Sequence, residues 1–97
     1  MRNPRFHELL KEIAELHDMK NSDYATSDDP LSNFKECVKF GVPAWKGCLV
    51  RISDKYSRIT HLAQKPPAVK SESIVDTLKD MATYCLICVL LFEEEKK

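Results

Sequence analysis

The sequence predicts an all-α fold, a single domain of four helices. Three observations carry this prediction. Apolar residues recur at three- and four-residue intervals through most of the chain, the helical period. Glycine is only 2 of 97 residues, too few for a turn-rich β-fold or for a glycine-rich phosphate loop. The 5 prolines stand where apolar stripes begin or end, not inside them.

The first helix opens at Asn3-Pro4, a capping residue followed by proline at the first helical position. Phe6, Leu9, Leu10, Ile13 and Leu16 form its stripe, and it is expected to end near Lys20. The polar run Asn21 to Asp29 has no apolar period and reads as a loop. Asp29-Pro30 repeats the cap-and-proline start. Leu31, Phe34, Cys37 and Val38 make a short second helix, with Gly41 as its stop. Pro43 opens the third helix, whose stripe is Trp45, Cys48, Leu49, Ile52, Tyr56, Ile59 and Ala63. Pro66-Pro67 ends it, because the residue before proline avoids helical angles. Ser71 caps the fourth helix. Its main apolar face is Ile74, Val75, Leu78, Met81, Ala82, Cys85, Val89 and Phe92, and Glu93 to Lys97 form a solvated tail.

A chain of 97 residues and 11.2 kDa is one domain, residues 1–97. Folding should bury about 65% of the unfolded surface, enough for one modest core that an oligomer could extend. Lysine plus arginine and aspartate plus glutamate each number 15, so net charge is zero. That argues against nonspecific, direct nucleic-acid binding. The longest uncharged apolar run, Met81 to Phe92, is 12 residues, too short to span a bilayer. With no apolar signal region at the N-terminus, the expectation is a soluble cytoplasmic protein without a membrane association.

The four cysteines, Cys37, Cys48, Cys85 and Cys88, admit two readings. Cys85-x-x-Cys88 could supply half of a zinc site, with Cys37 and Cys48 as the other half. Against that, Cys85 and Cys88 lie in a continuous apolar stretch with no turn residue between them. Buried cysteine behaves as a small hydrophobe, and the core reading is favoured.

The chemistry-bearing pattern lies on the last two helices. Glu72, Asp76 and Asp80 are four residues apart, drift only about 80° around the helix, and share one face. Such a face is ordinarily solvated. Here the same side continues into Thr83, Ile87, Leu90 and Leu91, which a solvated face should not do. A second helix or a second subunit is expected to cover it. Carboxylates at the rim of a covered surface need cations, and Mg²⁺ or Mn²⁺ suits oxygen donors. On the third helix, Arg51, Asp54, Lys55, Arg58 and His61 lie opposite the Trp45/Ile52/Tyr56 stripe. Asp54 could ligate metal, and Arg51, Lys55 and Arg58 could meet phosphate oxygens. An exposed Asp54–Arg58 pair is the plainer alternative. Glu8, Glu12 and Glu15 on the first helix could add ligands, although a solvated face laced with Lys11 is the ordinary reading. Lys20 could meet a phosphate and Tyr24 could stack on a base. His7, His17 and His61 have no mutual ligand spacing.

Taken in order, Lys20-x-x-Asp23-Tyr24, Asn33-Phe34, Trp45, Asp54-Lys55-x-x-Arg58 and Glu72-Ser-x-x-Asp76-Thr-x-x-Asp80 resemble the pattern of MazG-like, all-α nucleoside triphosphate pyrophosphatases. The likeness is nearest to small phage-type members, including a domain associated with nucleotide modification, and it covers most of the chain. The resemblance implies a four-helix MazG-like bundle that pairs as a homodimer or homotetramer, in a host cytoplasm if phage-encoded. It also implies Mg²⁺-dependent cleavage between the α- and β-phosphates, giving a monophosphate and pyrophosphate. By the same likeness Asp54, Glu72, Asp76 and Asp80 would hold the metal, Asp54 and Asp80 would be catalytic, and Lys20, Tyr24, Lys55 and Arg58 would bind the nucleotide. Where the family carries a denser set of glutamates, this chain has Asp54-Lys55-x-x-Arg58. Non-catalytic nucleotide binding and a purely structural helical module remain as alternative expectations.

Overall fold

A computed structural model describes residues 2–24, 31–64 and 67–96, without side-chain placement for 20–24 and 67–73. There are three α-helices, α1 (Pro4–Tyr24), α2 (Ala44–Leu62) and α3 (Pro67–Glu95), with two 3₁₀ segments, Ser32–Phe34 and Glu36–Phe40, between α1 and α2. The described residues are helical almost throughout and contain no strand, so the all-α expectation holds.

The local signals at helix ends act largely as read. The Asn3 side-chain oxygen accepts the backbone N–H groups of Arg5 at 3.0 Å and Phe6 at 3.2 Å, capping α1. Gly41 ends the second 3₁₀ segment with φ of 80°, a left-handed angle that glycine takes without strain. Pro43 stands just before α2, and its carbonyl accepts the N–H groups of Lys46 and Gly47, each at 3.0 Å.

Three boundaries differ from expectation. α1 runs through Asn21 to Tyr24, where neither glycine nor proline stops it. Residues 25–30, with the expected Asp29-Pro30 start, lie outside the described residues. The second predicted helix forms as two 3₁₀ segments. A stretch so short gains little from α-helical cooperativity, and Ser32 and Asn33 favour turns. α3 begins at Pro67, four residues before the expected Ser71 cap, with proline in the first helical position it favours.

α2 and α3 form an antiparallel hairpin. As residue number rises along α2 from Trp45 to Cys48, Lys55 and Arg58, the partner on α3 falls from Phe92 to Tyr84, Asp80 and Thr77. The core lies at the end holding the start of α2 and the end of α3. Leu31, Phe34, Cys48, Ile87 and Leu91 are buried there, with Ala44, Trp45, Tyr84 and Cys88 packed against them. Phe34 meets Tyr84 edge-on at 6.1 Å, the Arg51 guanidinium lies 4.9 Å from the Phe34 ring centre, and Lys35 pairs with Glu94 at 2.8 Å. The 3₁₀ connection therefore caps the apolar end of the hairpin. Gly47 makes room for it: a Cβ there would clash with the Cys37 sulfur.

The rotation of α3 corrects the sequence reading. The face expected to be its core is largely outward: Val75, Leu78, Ala82, Cys85, Val89 and Phe92 are exposed, and only Ile74 and Met81 are half-buried. The buried side carries Thr77, Ile87 and Leu91, each no more than 3% exposed. This is the side whose late apolar residues called for a cover, and α2 supplies it. On α2 the inward positions are Trp45, Cys48, Ile52, Lys55, Ile59 and Leu62, while Leu49, Tyr56 and Ala63 fall outside. On α1, Leu9, Ile13 and Leu16 are half-buried, but Phe6 and Leu10 are exposed.

The thiols follow the core reading. Cys48 donates to the Tyr84 carbonyl at 3.3 Å and Cys88 to the Trp45 carbonyl at 3.5 Å. Cys37 is half-buried, Cys85 is exposed, and all four are free. Burial pushes the Cys48 thiol from an ordinary 9.0 up to about 11, with neighbouring Cys88 adding to the rise. Burial also raises Cys88.

Two predictions follow from this thin core. Ile87→Ala should cost about 2–4 kcal/mol by urea denaturation, whereas exposed Val50→Ala should stay within about 0.5 kcal/mol. Cys48 ionises earlier when unfolded, so its contribution is complete below pH 9 and is lost as pH rises towards 11. Urea midpoints measured at pH 8 and pH 10.5 should show this alkaline loss, and Cys48→Ala should flatten it.

Candidate functional site

The half of the hairpin away from the core is polar. α2 and α3 face each other here through Lys55 and Asp80, one on each inward face. Lys55 Nζ lies 3.3 Å from Asp80 Oδ2, and the two side chains are 29% and 25% exposed. One turn further, Arg58 Nε donates to Thr77 Oγ1 at 3.3 Å. Thr77 is the buried polar residue of the pair, at 3% exposure. Each group needs its partner, since a half-buried cation against an apolar stripe would be uncompensated.

Asp54 and Asp76 sit beside this layer. Asp54 precedes Lys55 on α2, and Asp76 precedes Thr77 on α3, one turn from Asp80. Both are exposed. The helix register therefore places Asp54, Lys55 and Arg58 opposite the stretch carrying Asp76, Thr77 and Asp80. A polar depression lined by Ser57, Arg58, Thr60, His61, Leu62 and Gln64 adjoins the Arg58 side.

α1 approaches the same half of α3. Glu12 Oε2 lies 3.0 Å from Lys79 Nζ, and Arg5 reaches both Glu8 and Glu12 at 3.2 Å. Lys79, then Arg5, holds the Glu12 carboxyl below its usual range, and Glu12, then Glu8, raises the Arg5 guanidinium. These pairs are solvated and contribute little to stability, but they seat α1 beside the polar layer.

Of the residues singled out from sequence, Lys55, Arg58 and Asp80 come together at the helix interface; Asp54 and Asp76 are exposed beside them in sequence, Asp54 on the outer side of α2. Lys20, Tyr24 and Glu72 have side chains outside the described residues. Among the described residues, no three histidine, cysteine, aspartate or glutamate side chains form a ready metal-holding group. The oxygen donors of Asp54, Asp76 and Asp80 nevertheless have the chemistry that Mg²⁺ takes. Asn33 and Phe34 divide: Phe34 is core, while Asn33 Oδ1 is buried without a hydrogen-bond partner, a cost of about 1–3 kcal/mol.

Sequence reasoning gives no role to Thr77, quoted only within the Asp76-Thr-x-x-Asp80 run, or to Lys79. Thr77 had a signal, since it stands on the side of α3 that Ile87 and Leu91 mark as covered. Lys79 had none, because its partner Glu12 lies 67 residues away.

Comparison with known proteins found no matching family model, no similar curated protein and no similar solved structure. No helix of the described residues is long and apolar enough to cross a membrane.

A double-mutant cycle tests the polar layer. Lys55→Met and Asp80→Asn should each destabilise the fold, and the double variant should lose about 1 kcal/mol less than the sum of the two by urea denaturation. Additive effects would show that the two side chains do not interact.

Proposed function

We propose that this chain is a metal-dependent nucleoside triphosphate pyrophosphohydrolase, of the MazG-like kind its sequence resembles. It would convert an NTP or dNTP to a monophosphate and pyrophosphate, in the cytoplasm and as a homo-oligomer. One observation supports the reading: the facing pair Lys55–Asp80 at 3.3 Å, with Arg58 on Thr77 one turn away. Two cations and one carboxylate thus share a short stretch of the α2–α3 interface, which supports the reading.

The chemistry runs through exchange of partners. Lys55 Nζ leaves Asp80 Oδ2 for a phosphate oxygen, and Arg58 turns its guanidinium from Thr77 to the same phosphates, where its planar fork is the stronger binder. Asp80, freed of Lys55, joins Asp76 and Asp54 as the oxygen donors that would hold Mg²⁺ or Mn²⁺, with Glu72 as the fourth expected ligand. When bound, the metal supplies charge neutralisation of the phosphate oxygens and a more acidic water. Asp54 accepts the proton of the attacking water at its carboxylate. Lys20 and Tyr24 are assigned to the nucleotide by the sequence resemblance alone.

A second reading, nucleotide binding without hydrolysis, is favoured by one specific observation. Asp80 is already neutralised by Lys55, and the α2 motif has Lys55 and Arg58 where denser glutamates would give metal ligands.

Purified protein incubated with Mg²⁺ or Mn²⁺ and a panel of canonical and modified nucleotides, with products separated by ion exchange, distinguishes the two. Hydrolysis predicts monophosphate plus pyrophosphate, abolished by EDTA. Asp76→Asn and Asp80→Asn should each lower turnover on the order of 100-fold or more, with unchanged circular dichroism. Full activity in both variants contradicts the assignment. Calorimetric binding without product selects the second reading.

A further inference from the structure

Neither the polar layer nor the nucleotide reading uses the four cysteines, and they do not behave alike. Cys37 donates to the Phe34 and Pro43 carbonyls, each at 3.8 Å, within the connection before α2. Cys85 is exposed to solvent. Cys48 and Cys88 face each other across the α2–α3 interface. The antiparallel register that sets Lys55 on Asp80 puts Cys48 opposite Cys88, about two turns nearer the apolar end of the hairpin. Each thiol donates to a backbone carbonyl of the opposite helix, Cys48 to Tyr84 at 3.3 Å and Cys88 to Trp45 at 3.5 Å. The two sulfurs also lie within hydrogen-bonding reach of each other.

This crossed pattern is the geometry of a closable pair. A disulfide needs its Cα atoms roughly 4.4–6.8 Å apart. A cysteine side chain is short, so two of them that each touch the opposing backbone require the same closeness. Cys85 is the nearest rival, three residues before Cys88. On a helix, Cβ atoms at that spacing stay roughly 5–6 Å apart, wider than the roughly 3.5–4.5 Å of a disulfide. Access is one-sided. Cys48 is 1% exposed, whereas Cys88 is half-buried and lines an open groove with Leu31, Trp45, Cys85 and Val89. A small oxidant therefore meets Cys88 first, with Cys48 behind it. Burial holds both groups as thiols, which keeps the reduced pair inert toward weak oxidants.

We propose that Cys48 and Cys88 are a redox pair that a hydroperoxide closes to an internal disulfide, reversibly stapling α2 to α3. The Cys88 sulfur attacks one peroxide oxygen, the O–O bond breaks, and Cys88 becomes a sulfenic acid while the other oxygen leaves as water. The Cys48 sulfur then attacks the Cys88 sulfur. The S–O bond breaks, and the hydroxyl leaves as a second water with the Cys48 proton. The two thiols lose two electrons in all, and the peroxide gains them. A reduced small-molecule thiol returns the electrons by exchange and reopens the bond. In a reducing compartment the bond forms only while oxidant is present, so it works as a switch and not as a fixture. It closes a loop of roughly 40 residues and locks the rotation of α3 that the polar layer sets. The staple lies at the apolar end of the hairpin and stands whether or not the chain hydrolyses nucleotides.

The test uses the purified chain and its Cys85→Ser variant, which leaves one cysteine in the peptide holding Cys88. Each is treated with a small excess of hydrogen peroxide, alkylated with iodoacetamide in urea, and digested with trypsin without reductant. Mass spectrometry should find peptide 47–51, which holds Cys48, joined to peptide 80–96, which holds Cys88, and dithiothreitol should separate them. The oxidised chain should unfold at a urea concentration higher by on the order of 1 M or more. Cys88→Ala should remove both the cross-link and the shift, and Cys88→Ser replaces it if that variant does not fold. Full alkylation of Cys48 after peroxide, a bond from Cys88 to Cys37 or to a second chain instead, or a cross-link that leaves the urea midpoint unchanged would each overturn the proposal.

Discussion

The rotational setting of α3 against α2 is the constraint on which the rest of this structure depends. α3 carries two apolar stripes roughly a third of a turn apart, and either could in principle face α2. The polar residues of α2 decide between them. Lys55 lies on the inward side of α2 and requires an acceptor there. Asp80 supplies it at 3.3 Å only when the Thr77, Ile87 and Leu91 side of α3 faces in. The alternative rotation would set Lys55 against Leu78 and Ala82 and remove its partner. At the other end, the Cys48 and Cys88 thiols donating to opposing carbonyls, with Trp45 against Phe92, hold the same setting.

From this one choice come both the core and the two outward features. With Ile87 and Leu91 turned inward, the apolar end of the hairpin needs a lid, and Leu31 and Phe34 from the 3₁₀ connection provide it. With Asp80 and Thr77 turned inward, cations from α2 and carboxylates from α3 meet at the polar end. The remaining stripe of α3 is left on the surface at helical-bundle spacing. The polar layer is thus structural and chemical at once: it sets the register, and its charges are the ones a nucleotide phosphate or a divalent cation would compete for.

The sequence carried the helical class, the Asn3 cap and the Gly41 stop because these are local: a side-chain oxygen and a left-handed angle act within four residues. It misplaced Lys55: the sequence reading sets Lys55 opposite the Trp45 and Ile52 stripe, whereas the structure has it on the inward side with them, against Asp80. It did not carry the orientation of α3. Periodicity shows that Val75, Leu78, Cys85 and Val89 share a face, but not what the face packs against, and the more continuous stripe was the natural choice for the core. The observation that the acidic side turns apolar at Ile87 and Leu91 was the better guide. Thr77 gets no role from the sequence although it shares that side, because its bond to Arg58, 19 residues earlier, is a tertiary contact. The 31–40 segment was misjudged as α-helical because its apolar spacing fits both helix types, and its shortness favours the tighter one.

The central claim is that the polar end of the α2–α3 interface receives a nucleotide phosphate through Lys55 and Arg58. The most direct test is nuclear magnetic resonance of the ¹⁵N-labelled chain titrated with a non-hydrolysable nucleoside triphosphate analogue in Mg²⁺. The account predicts amide shift changes concentrated at residues 54–58 and 76–80, lost when Lys55 and Arg58 are replaced by methionine and glutamine. Changes confined to other segments, or a spectrum that no nucleotide perturbs, would contradict it.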